Sequence, residues 1–161
     1  MLLIDGHNLI GKIPGIRLSD ADDEMQLVDL LQTYGRVKQR DVTVYFDGAA
    51  PGFARKQRSG RVTAIYVVRG TPADDVIMDR LIKAGHQARN MVVVTSDRRI
   101  QAQARSVQAQ VISSEAFAEE LWEAQRSAMD HPSADQPAMS STELDEWLRL
   151  FQDSPKTRKK K

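Results

Sequence analysis

Met91-Val-Val-Val-Thr-Ser-Asp-Arg-Arg-Ile100 reads as a short strand that is apolar on both faces, ends in an aspartate and gives way at once to a helix. Consecutive valines that do not alternate with polar residues need cover on both sides, as in a parallel sheet sandwiched between helices. The same pattern stands upstream, where Leu2-Leu-Ile-Asp5 and Val42-Thr-Val-Tyr-Phe-Asp47 are apolar runs that stop at an aspartate. Val62–Val68 and, more weakly, residues 109–112 add further runs rich in β-branched residues.

Helical patterns separate these strands. Met25, Leu27, Val28, Leu30, Leu31, Tyr34 and Val37 recur at helical spacing after an acidic start at Asp20 to Glu24, and the stretch closes on Lys38 and Arg40, a charge order that suits the helix dipole. Thr71-Pro-Ala-Asp offers an N-cap, a proline at the first helical position and an acid at the third, predicting a helix to about Lys83, before Gly85. A short helix is expected after Asp97, and Ser113 or Ser114 can cap another that contains Phe117, Leu121 and Trp122. Strand alternating with helix predicts an α/β fold: a central, mostly parallel sheet of about five strands with helices on both faces.

A chain of 161 residues with 41% hydrophobic and 28% charged residues is long enough to bury one core and too ordinary in composition for wholesale disorder. The expected organisation is one domain over residues 1–127 and a linker of Ser, Pro, Asp, Gln and Ala over 128–140. An amphipathic helix over 141–153 and a basic, disordered tail over 154–161 complete it. Leu144, Trp147, Leu148 and Phe151 give that last helix an apolar face able to dock on this domain or on a partner. The absence of cysteine excludes disulfides, thiolate zinc sites and a cysteine nucleophile, and fits a reducing compartment. The N-terminal apolar run meets Asp5 too early for a signal-peptide core, and no stretch approaches the roughly 20 apolar residues of a membrane span, so a cytoplasmic chain with no membrane partner is expected. Net charge is +1, but Lys156, Arg158, Lys159, Lys160 and Lys161 carry five positive charges, leaving 18 basic against 22 acidic residues elsewhere. Nucleic-acid binding therefore has to rest on local patches.

Ligands of open parallel α/β sheets bind outside the carboxyl ends of the strands, so the strand-end residues Asp5, Asp47 and Asp97 carry particular weight. Asp74 and Asp75 enter the first turn of the helix after the strand ending at Val68, with Asp79 one turn on. Carboxylates drawn from separate strands repel one another unless they share protons or hold a cation, and hard oxygen donors suit Mg²⁺ or Mn²⁺. Such ions stabilise charge on a phosphoryl oxygen, the requirement of phosphodiester hydrolysis. Each aspartate taken singly has the plainer reading of a helix or turn cap.

Ile-Asp-Gly-His-Asn-Leu-Ile at residues 4–10, Phe-Asp-Gly at 46–48, Thr-Pro-Ala-Asp-Asp-Val-Ile-Met-Asp-Arg-Leu at 71–81 and Val-Val-Val-Thr-Ser-Asp-Arg-Arg-Ile at 92–100 together resemble the NYN branch of the PIN-like nucleases, closest to the YacP-like group. The resemblance covers about residues 1–125 and keeps the motif order. It implies a PIN-like three-layer fold and Mg²⁺- or Mn²⁺-dependent endoribonuclease activity, on mRNA or ribosome-associated RNA. The family's metal-binding aspartates fall on Asp5, Asp75 and Asp97, with Asp74 and Asp79 as further metal candidates; Asn8 matches its asparagine and Ser96 the polar residue beside its last aspartate. Where that group typically has Thr-Ala-Asp, this chain has Ala73-Asp74-Asp75, which leaves the principal ligand open between the two acids. Asn8 either orients water or the scissile phosphate or makes a local turn. His7 is read as a residue of the site's rim.

The stretch after Asp47 carries Arg55, Lys56, Arg58 and Arg61 without an acid, and its glycines and proline predict a mobile loop at the active edge whose cations hold RNA phosphates while Phe53 stacks on a base. Arg98 or Arg99 is placed to offset charge beside the metal site, and Arg98 joins the cations expected to bind RNA. Two rival functions are a non-catalytic RNA-binding or ribosome-associated module, and a phosphatase resembling the haloacid dehalogenase class. The second requires an aspartate two residues after its nucleophile, where this chain has His7.

Overall fold

The computed structural model describes residues 1–50, 52, 56–130, 142–143, 145–146 and 149–150. The chain runs β1 (Leu2–Asp5), α1 (Gly6–Ile10), α2 (Asp23–Val37), β2 (Val42–Ala49), β3 (Lys56–Ser59), β4 (Val62–Val68), α3 (Ala73–Ala84), a 3₁₀ turn (Gly85–Asn90), β5 (Val92–Val94), α4 (Arg98–Ser106), β6 (Gln110–Ile112) and α5 (Ser114–Asp130). The strands form one six-stranded sheet in the order β3-β4-β2-β1-β5-β6. Every pairing is parallel except β3 with β4, which is antiparallel.

The apolar runs without alternation become the central strands, buried on both faces. Leu2, Ile4, Val44, Phe46, Val92 and Val94 point into one core with α1, α2 and α5. Leu3, Tyr45 and Val93 point the other way, onto Ile77 and Leu81 of α3 and Ile100 and Ala104 of α4. This division is the period-two alternation of side chains on a strand, hidden in the sequence because both sides are apolar. The three-layer α/β architecture is therefore the one expected, with one strand more than the five apolar runs.

That extra strand corrects the mobile loop expected at residues 48–61. Lys56–Ser59 pairs with β4, Lys56 opposite Ile65 and Ser59 opposite Val62, and its side chains are all exposed. An edge strand with solvent on its outer side needs no apolar residue, and a run of Lys, Gln, Arg and Ser protects the edge from pairing with another chain. Thr71 is likewise not the cap of α3. The helix begins at Ala73 after Pro72, without a local side-chain cap. Helix α5 extends to Asp130, three residues into the stretch expected as a linker. Residues 131–140 and the tail 154–161 lie outside the described residues, as do Phe53 and Arg55. Of the expected helix over 141–153, the described residues 142–143, 145–146 and 149–150 are helical.

α1 follows β1 without a linker, which forces the first helical residue against β2. A Cβ on Gly6 would overlap the Phe46 ring and lie 2.7 Å from the Tyr45 carbonyl oxygen. Gly6→Ala is expected to destabilise the fold by about 1–3 kcal/mol, the usual range for overpacking a filled core. Urea unfolding measures it, and an unchanged midpoint would show that α1 has room to move away from β2.

Candidate active site

The carboxyl edge of the sheet is where the strand-end aspartates meet helix N-termini. Asp5 is 6% exposed, and its carboxylate accepts the Asn8 N–H at 3.3 Å and the Thr95 hydroxyl at 3.5 Å. Asp97 caps α4, Oδ1 accepting from the Arg99 and Ile100 N–H groups at 2.7 and 3.3 Å. At Asp47 the β2 register shifts, and Gly48 supplies a φ of 81°. Such a bulge re-aims the side chain beside it. The Asp47 carboxylate accordingly accepts the Ala73 N–H, so that α3 is capped from another strand.

Capping does not exhaust these carboxylates, because they also lie within each other's fields. Burial raises Asp5 to about 6, and the charges of Asp74 and Asp47 push in the same direction against the Asn8 N–H. Asp74 is also raised, first by burial, then by Asp97 and Asp47. Asp5, Asp47, Asp74 and Asp97 thus form one electrostatic neighbourhood drawn from four places in the chain.

Asp75 is oriented differently. Its carboxylate, 54% exposed, meets the Arg99 guanidinium at 3.5 Å. Adjacent helical residues point about 100° apart, and of the two it is Asp74 whose proton affinity is raised by Asp97 and Asp47. Asp79 is drawn into a pair with Lys83 at 2.6 Å, one turn along the exposed side of α3.

Asn8 joins three elements. Its Oδ1 accepts the Ser96 N–H at 2.9 Å and the Ser114 hydroxyl at 2.7 Å, tying α1 to the end of β5 and the start of α5. The Ser96 hydroxyl donates to Glu115 and accepts the Ser114 N–H. Glu115 also pairs with Lys12 at 3.0 Å, and its carboxyl is held below its ordinary value chiefly by the Ser96 hydroxyl. His7 accepts the Asp47 N–H on Nδ1 at 3.4 Å and meets Glu24 through Nε2 at 3.3 Å, a position at the rim. Lys12, Glu24 and Glu115 lack any signal in the linear sequence, since each reaches the edge only through tertiary packing.

A divalent cation is chemically suited to this donor set, which is all carboxylate oxygen with no thiolate. Oδ2 of Asp47 and Oδ2 of Asp97 make no hydrogen bond among the described residues. As the side chains stand, no three His, Cys, Asp or Glu among the described residues are gathered closely enough to hold an ion.

A family model described as a YacP-like NYN domain matches residues 2–152. The chain belongs to the YacP-like NYN family. Membership carries a nuclease-type, RNA-related function. The fold is also that of Rae1 (YacP) from Bacillus subtilis, with 24% identity over 94% of this chain and 92% of that chain and a TM-score of 0.68. A tryptophan-to-leucine mutant of the same Bacillus subtilis protein aligns at 18% identity over 92% of this chain and 97% of that chain, with a TM-score of 0.62. No curated protein matches the sequence.

The cations expected to face RNA are scattered over this NYN domain. Arg98 is exposed directly beside Asp97. Lys56 lies opposite Ile65, and Arg58 opposite Thr63, further from the carboxyl edge. Arg61 precedes β4 at the opposite, amino edge, held by Asp41 at 3.2 Å and Gln39 at 2.8 Å. Arg55 lies outside the described residues.

Asp5 gives the site a measurable signature. Its folded-state value of about 6 lies above the 3.8 of an ordinary aspartate, so the folded protein binds the proton more tightly than the unfolded chain. Stability is therefore lost as pH rises from about 4 to about 6 and is level above, to a total on the order of 3 kcal/mol. Asp5→Asn lacks this loss. In EDTA it should unfold at a higher urea concentration than wild type at pH 7, with the advantage vanishing near pH 4. An advantage independent of pH would mean that the Asp5 charge is not under strain.

Proposed function

We propose that this chain is an endoribonuclease that hydrolyses RNA phosphodiester bonds at the carboxyl edge of the sheet with the help of Mg²⁺ or Mn²⁺. The observation that carries the reading is the shared field of Asp5, Asp47, Asp74 and Asp97, in a member of a nuclease-type family. Asp5, Asp74 and Asp97 are the proposed ligands, with Asp47 adjoining them. Asp75, the other candidate, supports the site through Arg99. When bound, the cation supplies Lewis acidity toward a phosphoryl oxygen and charge to offset that of the substrate.

The protein's own groups do the positioning. Asn8 spends Oδ1 on Ser96 and Ser114, so its amide N–H donors are what it offers to the scissile phosphate. Asp47 sets the start of α3 by accepting from Ala73, and thereby sets Asp74. Arg98 and Lys56, both exposed, flank the edge as phosphate contacts. Single-stranded RNA carried on an mRNA or a ribosome in the cytoplasm is the proposed substrate. No helix among the described residues is long and apolar enough to cross a membrane.

Total RNA and ribosomes, each incubated with purified protein with and without Mn²⁺, test the activity. Cleavage is expected only with the metal and not from Asp97→Asn; cleavage by that variant at the wild-type rate would remove Asp97 from the site. Asp74→Asn should cost on the order of a hundredfold or more in rate and Asp75→Asn no more than about tenfold, the lower end for a group that merely supports a ligand. The reverse ranking would make Asp75 the ligand. Replacing Lys56 and Arg98 by Gln should lower the salt slope of single-stranded RNA binding by roughly 0.7 per lost phosphate contact. An unaltered slope would take both residues off the RNA path.

A further inference from the structure

A groove of about 440 Å³ runs between α2 and the β3–β4 hairpin. Its floor is apolar, formed by Val28, Val62, Ala64 and Tyr66, and Met25 stands over it with 65% of its surface exposed. The charged residues that line it are Asp22, Glu24 and Arg58. Asp22 and Glu24 flank the start of α2, so that end of the mouth is acidic. The volume falls within the roughly 300–1,000 Å³ of sites that bury the apolar parts of a ligand. RNA is a poor match, because two carboxylates and one guanidinium line the groove and give it the sign of the phosphates.

We infer that the groove is the seat of this chain's own C-terminal segment, residues 141–153, docked as an amphipathic helix. Three features of the chain agree on that occupant. Leu144, Trp147, Leu148 and Phe151 recur at helical spacing and supply an apolar face, whereas Thr142, Glu143, Asp145, Glu146 and Arg149 fall outside that row and are exposed where described. This is the pattern of a helix that lies in a groove. Five cations follow, at Lys156, Arg158, Lys159, Lys160 and Lys161, opposite in sign to the acidic mouth.

The third feature is where the described domain ends. α5 contacts Tyr34 through Phe117 and Glu120, but Leu30 through Gln125, so as α5 advances it moves back along α2 toward that helix's acidic start. Beyond Asp130, residues 131–140 can span at most about 35 Å at 3.3–3.6 Å per residue. α2 is about 10–12 Å across with its side chains, so the tether is long enough to pass around its first turn into the groove. The family match, which continues to residue 152, includes the segment in the domain.

The absence of native cysteine makes the test direct. The full chain carrying Met25→Cys and Leu148→Cys is treated at low concentration with a short bismaleimide, beside a control with Ile82→Cys and Leu148→Cys. Met25 and Ile82 are 65% and 59% exposed, so neither change disturbs the core, and Ile82 lies on α3 across the sheet. Docking raises the effective concentration at Met25, and intramolecular cross-linking there should exceed the control by about tenfold or more. Leu144→Ser with Trp147→Ser should abolish the difference. Equal rates at both positions, or cross-linked dimers in place of monomers, would overturn the proposal, the dimers by making a second copy the occupant. Protection of the position 25 thiol by a single-stranded oligoribonucleotide in the Leu144→Ser, Trp147→Ser background would overturn it in favour of RNA.

Discussion

A carboxylate at the end of a strand accepting the N–H groups that open a helix is the contact on which the rest of this structure depends. It occurs at Asp5 for α1, at Asp97 for α4, and across the sheet at Asp47 for α3. The first N–H groups of a helix have no partner within it, and the helix dipole favours negative charge there. Each such contact fixes the direction in which the chain leaves the sheet. Together they gather like charges at one edge, where the backbone amides offset part of the repulsion.

The plain and the functional readings of these residues are consequently not alternatives. A carboxylate has two oxygens, and capping occupies Oδ1 of both Asp47 and Asp97. Asp5 has the least freedom, because it is buried and both of its oxygens accept hydrogen bonds. Its raised proton affinity reflects a charge maintained against desolvation, an arrangement frequent at functional sites. Asn8 supports the same edge by holding Ser96 and Ser114 with a single oxygen, so that α1, the end of β5 and the start of α5 are tied together.

The linear sequence by itself determined the layer order and the edge at which the strand-end acids lie. Valine runs without alternation need cover on both faces, and a parallel sheet with helices on either side is the arrangement that provides it. Strand-end acids are legible for the same reason, since the end of an apolar run is a local feature. β3 was not legible, because Lys56–Ser59 packs no side chain into the core and is a strand only through its backbone pairing with β4.

Tertiary structure alone decided which acids meet. Asp74 and Asp75 are equivalent in the sequence, and the phase of α3, set by Asp47 accepting from Ala73 and by Ile77 and Leu81 entering the core, puts the first in the field of Asp97 and Asp47 and pairs the second with Arg99. Thr71 looked like the cap because it is the local candidate, whereas the actual acceptor comes from 26 residues earlier. Arg61 looked like part of a basic patch with Lys56 until the hairpin carried it to the far edge, beside Asp41. The common cause is that sequence reports neighbours along the chain, while charge and hydrogen bonding act between neighbours in space.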